Sequence, residues 1–414
     1  MSRTRRTRTL GTSSARRRLL RSALASGAVL AATLTACSGG PGGSDGKAAG
    51  AAEMKGKTAM AVSVNLTGNA AKAGGPVKVT LTEGSKLAQV DVTDAKGGRL
   101  TGRISADGKT WTSERNASPG TAYKVTARDS AGTSADAQFT TAAADRVNKI
   151  TITPGKGSVM GIAQPLSLVF DNPVTNKAEV EKHLKVTTSN NTEGSWGWMK
   201  DYSGKDRVDW RPREYWKSGT DVKLVMELNG VDSGKGGGYF VRDYETGFKV
   251  GRNQRIAVDL DSKTLKLTRD GREVKSIPVS AGTPGGQKAS WEGKLVVMAK
   301  EGTIRMDSQT VGLGDAYDKM VDYSMRLTWS GMYAHAAPWN AGAFGRANTS
   351  SGCVGMSTSN AADLYGEVQP GDPFEVTGSG SKGKPDLGNG YSEWNLSWAD
   401  WQAKSALKGS TTQG

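Results

Sequence analysis

Two side chains carry the chemistry this sequence can offer. His335 and Cys353 stand 18 positions apart, and each is one of only two residues of its kind among 414. A thiol attacks carbonyls as the thiolate, and with a free pKa of about 8.5 it needs a neighbouring base near neutrality. His335 is the base within reach in sequence. The small residues Ser350, Ser351 and Gly352 precede the thiol, which allows a tight turn and backbone N–H groups aimed at an oxyanion. Taken alone, a thiol among small residues is more often a buried, inert filler than a nucleophile, and a single His more often a hydrogen-bonded structural residue.

The stretch from His335 through Asn348-Thr349-Ser350-Ser351-Gly352-Cys353-Val354-Gly355 resembles the active-site signature of the L,D-transpeptidases, whose catalytic domain is of the YkuD type. That signature is a His, a spacer, then Ser/Thr-His-Gly-Cys-hydrophobic-Asn. Ser350, Gly352, Cys353 and Val354 fall in place; Ser351 stands where the signature has His, and Gly355 where it has Asn. His183 lies far upstream in another domain, so His335 is the base.

The resemblance implies a peptidoglycan transpeptidase working through a thioester on Cys353. His335 moves the proton, D-Ala leaves, and a second stem peptide resolves the acyl-enzyme as a 3→3 cross-link. It further implies oxyanion support from Gly352 and Cys353, and a lid over the substrate channel carrying Met306 and Tyr317. Ser330 and Gly331 match strand residues lining the donor site, and Ser350, Ser351 and Gly355 complete the substrate-binding set. An ordinary surface aromatic is the other reading of Tyr317. Carbapenems are expected as covalent inhibitors. An L,D-carboxypeptidase, in which water resolves the thioester, or a catalytically weak wall-binding spacer, are the alternatives.

The elements that must hold this site read as strands. Period-2 alternation at 256–260 and 264–268, a turn at Asp270-Gly271, and further apolar runs at 274–280 and 293–298 predict a mostly β catalytic domain over 251–377. Ser357 to Asn360 offers N-cap chemistry for one short helix through 361–365. A long loop is expected over 306–323, with Gly312 and Gly314 as hinges. A tail over 378–414, bearing Trp394, Trp398 and Trp401, is expected to dock back on the body.

Upstream, short alternating strands at 77–81, 88–92 and 122–127 predict one β-sandwich over 59–144, and those at 150–152, 166–170, 222–226 and 246–250 a second over 148–250. An internal repeat links them. Trp111 and Trp210 each precede a Gly-Thr pair by nine residues, at an offset of 99. Both modules resemble the bacterial Ig-like domains that stand before the catalytic domain in actinobacterial L,D-transpeptidases. The second is rich in Trp (Trp196, Trp198, Trp210, Trp216), readable as core or as a sugar-stacking face. Asp232, in a Gly-rich loop, is a single carboxylate and not a cation site. The expected fold class is all-β dominated: two Ig-like β-sandwich domains, then a mostly β YkuD-type catalytic domain with a short helix and a lid loop.

At the start, eight arginines precede an apolar run and Leu34-Thr35-Ala36-Cys37. This resembles a lipoprotein signal over 1–36, with lipid on Cys37 and a flexible Gly- and Ala-rich tether over 37–58. Arg16-Arg17-Arg18-Leu19-Leu20 also resembles a twin-arginine export signal. With Cys37 lipidated, Cys353 remains a free thiol. Removing those eight arginines from the 55 Lys and Arg leaves 47 against 40 Asp and Glu, a net +7 that suits an anionic wall and membrane surface. No stripe of basic residues with stacking aromatics argues for nucleic acid, and no later segment approaches the roughly 18 apolar residues of a membrane span. No cofactor and no metal are expected. The expected location is the extracytoplasmic face of the cell membrane, lipid-anchored and reaching into the wall.

Overall fold

The computed structural model describes residues 59–408, and hydrophobic alternation accounts for most of its strands. The leader, Cys37 and its lipidation, the tether up to 58, and the last residues from 409 lie outside the described residues. Gln254–Asp259 shows the rule at its plainest: side chains alternate buried and exposed along the strand, with Ile256 and Val258 inward.

The first sandwich packs one sheet, in the order Ala61–Val64, Pro76–Glu83, Thr110–Asn116, Gly102–Ile104, against a second. That second sheet runs Arg99–Leu100, Leu87–Asp94, Ala122–Asp129, Ser134–Thr140. The next module orders Ser158–Met160, Tyr244–Val250, Asp221–Met226, Leu184–Thr188 in one sheet and Gly194–Lys200, Asp206–Pro212, Leu166–Phe170, Ile150–Thr153 in the other.

The repeated tryptophans occupy equivalent places. Trp111 lies over Gly102, which pairs with Ser113; Trp210 lies over Gly194, which pairs with Pro212. In each case the glycine faces the residue two beyond the tryptophan, and a Cβ there would come within 2.3 Å or less of the indole. The four tryptophans of the second module are all buried, so they form core rather than a sugar platform. Asp232 caps its own turn by accepting from the Gly234 N–H at 2.8 Å.

The third module has two sheets. The larger runs Arg272–Pro278, Thr264–Arg269, Gln254–Asp259, Pro373–Thr377, Gly293–Val296, so the last strand of the chain sits inside the sheet, parallel to Gln254–Asp259. The smaller runs Ala299–Asp307, Asp318–Arg326, Tyr333–Ala336, Val354–Met356. The helix Thr358–Glu367 starts on Ser357, whose hydroxyl accepts from the Asn360 N–H at 3.2 Å.

Two expectations need correction. The 306–323 segment is not a long loop. Strands Ala299–Asp307 and Asp318–Arg326 pair along nearly their whole length, from Ala299 opposite Arg326 to Asp307 opposite Asp318, so the lid is a β-hairpin. Its strands are mostly exposed or half-buried on both faces, so no buried/exposed alternation marked them as strand. Ser330 and Gly331 lie on a turn between the lid and the strand Tyr333–Ala336, not on a strand, and Gly331 takes φ +93°, a left-handed conformation suited to glycine.

Residues 378–408 pack across the second and third modules. Trp394 donates to the Ala163 carbonyl at 2.9 Å and Trp401 to the Ser195 carbonyl at 3.0 Å, with the fully buried Trp401 ring seated on Gly197. The Gly161 and Ala163 amides donate to Pro370 and Gly371, each at 2.8 Å, closing the junction. A small apolar cluster of Ala163, Val296, Tyr391 and Trp394 fills it.

Candidate active site

Parallel pairing of two short strands sets the chemistry. Tyr333–Ala336 carries His335, Val354–Met356 follows Cys353, and His335 stands opposite Gly355 in the ladder. Residues 18 positions apart are thus held by backbone hydrogen bonds, with Ala334, Ala336, Val354 and Met356 packed into the core beside them. The preceding loop is equally fixed. Ser280 and Gly355 exchange backbone bonds of 2.9 Å, the Ser350 N–H donates to Ala281, and the Ser290 hydroxyl donates to the Gly352 carbonyl at 2.8 Å. Gly352 has φ +123°, which aims the chain at the thiol through a conformation other residues resist.

Cys353 and His335 line one cavity of about 210 Å³, together with Met306, Tyr317, Ser350, Ser351 and Gly355. Ser330, Gly331 and Gly352 line a second cavity of about 430 Å³, and Tyr317 and Ser351 border both. The expected site residues therefore divide between two chambers. The thiol lines the first, and its Sγ donates to the carbonyl of Gly331, a residue of the second, at 3.7 Å.

The dyad rests neutral. Burial pushes the Cys353 thiol up to about 11, against a hydrogen bond from the Tyr333 backbone and the charge of Lys382, which pull it down. Burial also holds the His335 imidazole below its ordinary 6.5, opposed by its bond to Ala336. Its Nδ1 lies 2.8 Å from the Ala336 carbonyl, so Nδ1 carries the proton and Nε2 is left as the acceptor. At neutral pH the site holds thiol and imidazole, so attack by this sulfur would require its proton to be passed on.

Gly352 brings a complication for oxyanion support. Its N–H donates to the Ser350 hydroxyl at 3.2 Å, so an oxyanion would compete with that oxygen. Tyr317 is half-buried, with its phenol raised by desolvation and by the nearby Cys353 and Asp307. Its N–H and carbonyl both bond Ser308, whose buried hydroxyl pins the hairpin tip. The lid seats directly on the site: a Cβ on Gly331 would meet Val311 at 2.6 Å.

Four residues escaped the sequence reading. Trp339 stacks on His335 with ring centres 6.0 Å apart, and Lys319 of the lid lies 4.4 Å over the Trp339 ring. Asn340 donates to the Ser280 hydroxyl at 3.1 Å and accepts from Thr349 at 3.0 Å, placing a carboxamide in the cavity that Gly355 leaves without one. Lys382, from the tail, lines the second cavity and lies 4.5 Å over Trp291. The closeness of Trp339 and Asn340 to His335 in sequence was the available signal; Lys382 had none. His183 is remote and pairs with Glu179 at 3.4 Å. Among the described residues, no group of three or more His, Cys, Asp or Glu could hold a metal, and no helix is long and apolar enough to cross a membrane.

Residues 68–232 match the bacterial Ig domain family, and residues 253–376 match the L,D-transpeptidase catalytic domain. L,D-transpeptidase 2 of Mycobacterium tuberculosis is 33% identical over 339 residues, covering 80% of this chain and 81% of the relative. L,D-transpeptidase 5 of the same species is 30% identical over 337 residues, covering 80% and 73%. A solved L,D-transpeptidase in complex with imipenem is 32% identical, covering 56% of this chain and 100% of that one, with a TM-score of 0.47.

Proposed function

The chain belongs to the L,D-transpeptidase family, and from that premise we propose the course its own residues give the reaction. The single observation that carries it is the shared cavity of Cys353 and His335 beneath a lid that brings Tyr317 to the thiol. A donor stem peptide lies along the second cavity, past Ser330 and Gly331, with the carbonyl between its third residue and D-Ala at Sγ. The thiol proton passes to the free imidazole nitrogen of His335 as Sγ bonds the carbonyl carbon. Backbone N–H groups at Gly352 and Cys353, with Tyr317, receive the oxyanion. The C–N bond to D-Ala then breaks and His335 returns the proton to the departing amine. An acceptor side-chain amine entering by the first cavity attacks the thioester and loses its proton to His335. The thiolate leaves, the new amide forms a 3→3 cross-link, and the imidazolium restores the thiol.

Carbapenems acylate the same sulfur. The sequence of the leader supports a lipoprotein: Cys37 carries the anchor, and residues 38–58 carry the enzyme from the membrane towards the wall.

Intact-mass spectrometry tests this reading. Incubation with a carbapenem gives an adduct on Cys353, and incubation with disaccharide-tetrapeptide gives a dimer less D-Ala; both vanish in Cys353→Ala. Tripeptide without dimer would make the enzyme an L,D-carboxypeptidase. Turnover persisting in Cys353→Ala would reject the mechanism.

A further inference from the structure

Alternation along the lid strand Asp318–Arg326 sorts its charges. Lys319 and Val321, with Tyr317 just before them, line the first cavity, whereas Asp318 and Asp322 fall on the opposite face of the hairpin. Both acids are engaged there. Asp318 takes Arg305 in a two-pronged pair at 2.8 and 2.7 Å, and Asp322 accepts from the Thr303 hydroxyl at 2.7 Å. Among the described residues Lys319 makes no ion pair, and no Asp or Glu lines the cavity it enters.

That ammonium stands close to the reacting groups. It rests 4.4 Å over the Trp339 ring, and the ring in turn stacks on His335 with centres 6.0 Å apart. With the imidazole kept neutral by burial, Lys319 is the charged side chain of this chamber among the described residues. Trp339 is half open to solvent, and an exposed indole holds a cation weakly, so a carboxylate entering the cavity draws the ammonium off the ring into a stronger charge-assisted bond. Ser351 and Gly355 leave room for it beside the sulfur, since they carry a hydroxymethyl and a hydrogen where the signature carries an imidazole and a carboxamide.

We infer that Lys319 reads a carboxylate borne on the same carbon as the reacting amine, so that the first cavity selects α-amino acid ends over plain alkyl amines. The inference rests on the transpeptidase reading above. D-Ala is the group that leaves, and its nitrogen and carboxylate share one carbon. His335 protonates that nitrogen and later takes the proton of the incoming amine, so microscopic reversibility seats both nitrogens at one place. A cation placed for the departing carboxylate therefore meets the carboxylate of an acceptor built alike. The step balances on groups already present: the new C–N bond forms as the C–S bond breaks, and the amine's proton passes through His335 to the sulfur. An acceptor whose side-chain amine is part of an α-amino acid is favoured. One ending in an unsubstituted CH2–NH2, or with that carboxylate amidated, lacks the anchor.

Lys319→Met and Lys319→Arg in the full chain test this. The donors are a tetrapeptide ending in free D-Ala and the same peptide ending in D-alaninamide. The parent favours the free acid by about tenfold in kcat/KM, the scale of a hydrogen bond to a charged group. Lys319→Met brings the two donors within about twofold of each other by slowing the free acid, and Lys319→Arg restores the preference. Isotope-labelled D-alanine and D-alaninamide, competing as acceptors at matched free-amine concentration, show the same preference and the same loss by mass spectrometry. Saturation-transfer NMR with D-alanine alone gives a signal in the parent that Lys319→Met loses, a readout independent of turnover. Equal rates for acid and amide in the parent, a general fall in Lys319→Met with the acid-to-amide ratio intact, or a D-alanine signal surviving in that variant would overturn the assignment. Absence of any carbapenem adduct on Cys353 in the parent would instead overturn the transpeptidase reading, and the NMR comparison would still decide whether Lys319 holds the carboxylate.

Discussion

The two cavities that share Tyr317 and Ser351 are built from different parts. The first is lined by adjacent strands and the lid: His335 and Gly355 face each other across one parallel ladder, and Met306, Lys319 and Val321 come from the hairpin above. The second is also lined by the lid tip, Thr310 to Leu313, and adds Tyr202, Trp329 and Lys382 from an Ig-like module, a turn and the tail. One holds the imidazole proposed to move protons; the other, on the same proposal, receives the donor peptide. The difference teaches that reactivity here depends on backbone register, while recognition depends on how separate modules are fastened together. Substitutions should accordingly separate chemistry from binding.

The largest effect falls in the first cavity. His335→Ala should slow carbapenem acylation about 10²- to 10⁴-fold. In the parent, activity is lost as pH falls through a His335 pKa lying below 6.5, because the base must be neutral to accept the thiol proton. In the variant that acid limb disappears and the residual rate climbs with pH towards the thiol's pKa of about 11. Stopped-flow acylation across pH checks both limbs; an unchanged acid limb would mean that another group is the base.

Restoring the family's Asn is the next sharpest test. A Cβ at Gly355 would lie 2.9 Å from the Ala337 Cβ, so Gly355→Asn overpacks a ladder position and should cost about 1–3 kcal/mol of stability. Asn340 already supplies a carboxamide to the same cavity, so acylation should not rise. Thermal unfolding and acylation rates measured together decide this, and a faster, equally stable variant would show that the Asn was missed. Smallest is Lys382→Met in the second cavity. Its ammonium pulls the thiol down, so removal should move the alkaline limb of acylation to higher pH and slow the neutral rate by about threefold, leaving the His335 limb in place. A shift of the acid limb instead would couple Lys382 to the imidazole.

Much of the fold was legible because its signals are local. Alternation marked the strands at 256–260 and 264–268, Ser357 announced a helix, and the Trp111 and Trp210 repeat carried through to tryptophans seated over matching glycines. The lid hairpin was missed because its strands bury almost no face near the tip, so the period on which such reading depends is absent. In the site, His335 and Cys353 were legible by type and spacing. Trp339 and Asn340 were hidden in plain view, since stacking and hydroxyl bonding leave no pattern in a sequence. Tyr202 and Lys382 were out of reach: each lies far along the chain from the thiol, on an element whose own residues give no hint of what it will face.

The sequence by itself nominated a thiol and an imidazole as nucleophile and base and marked the alternating strands around them, because those depend on side-chain chemistry and on periods of a few residues. Through Gly352 it also marked the tight turn before the thiol, where the backbone takes a conformation that other residues resist. Only the tertiary structure decided that the thiol rests protonated, that the site divides into two chambers, and that an Ig-like turn borders one of them. Each of those depends on burial and on contacts between distant segments, and desolvation is a property of the packed molecule that no stretch of sequence carries alone.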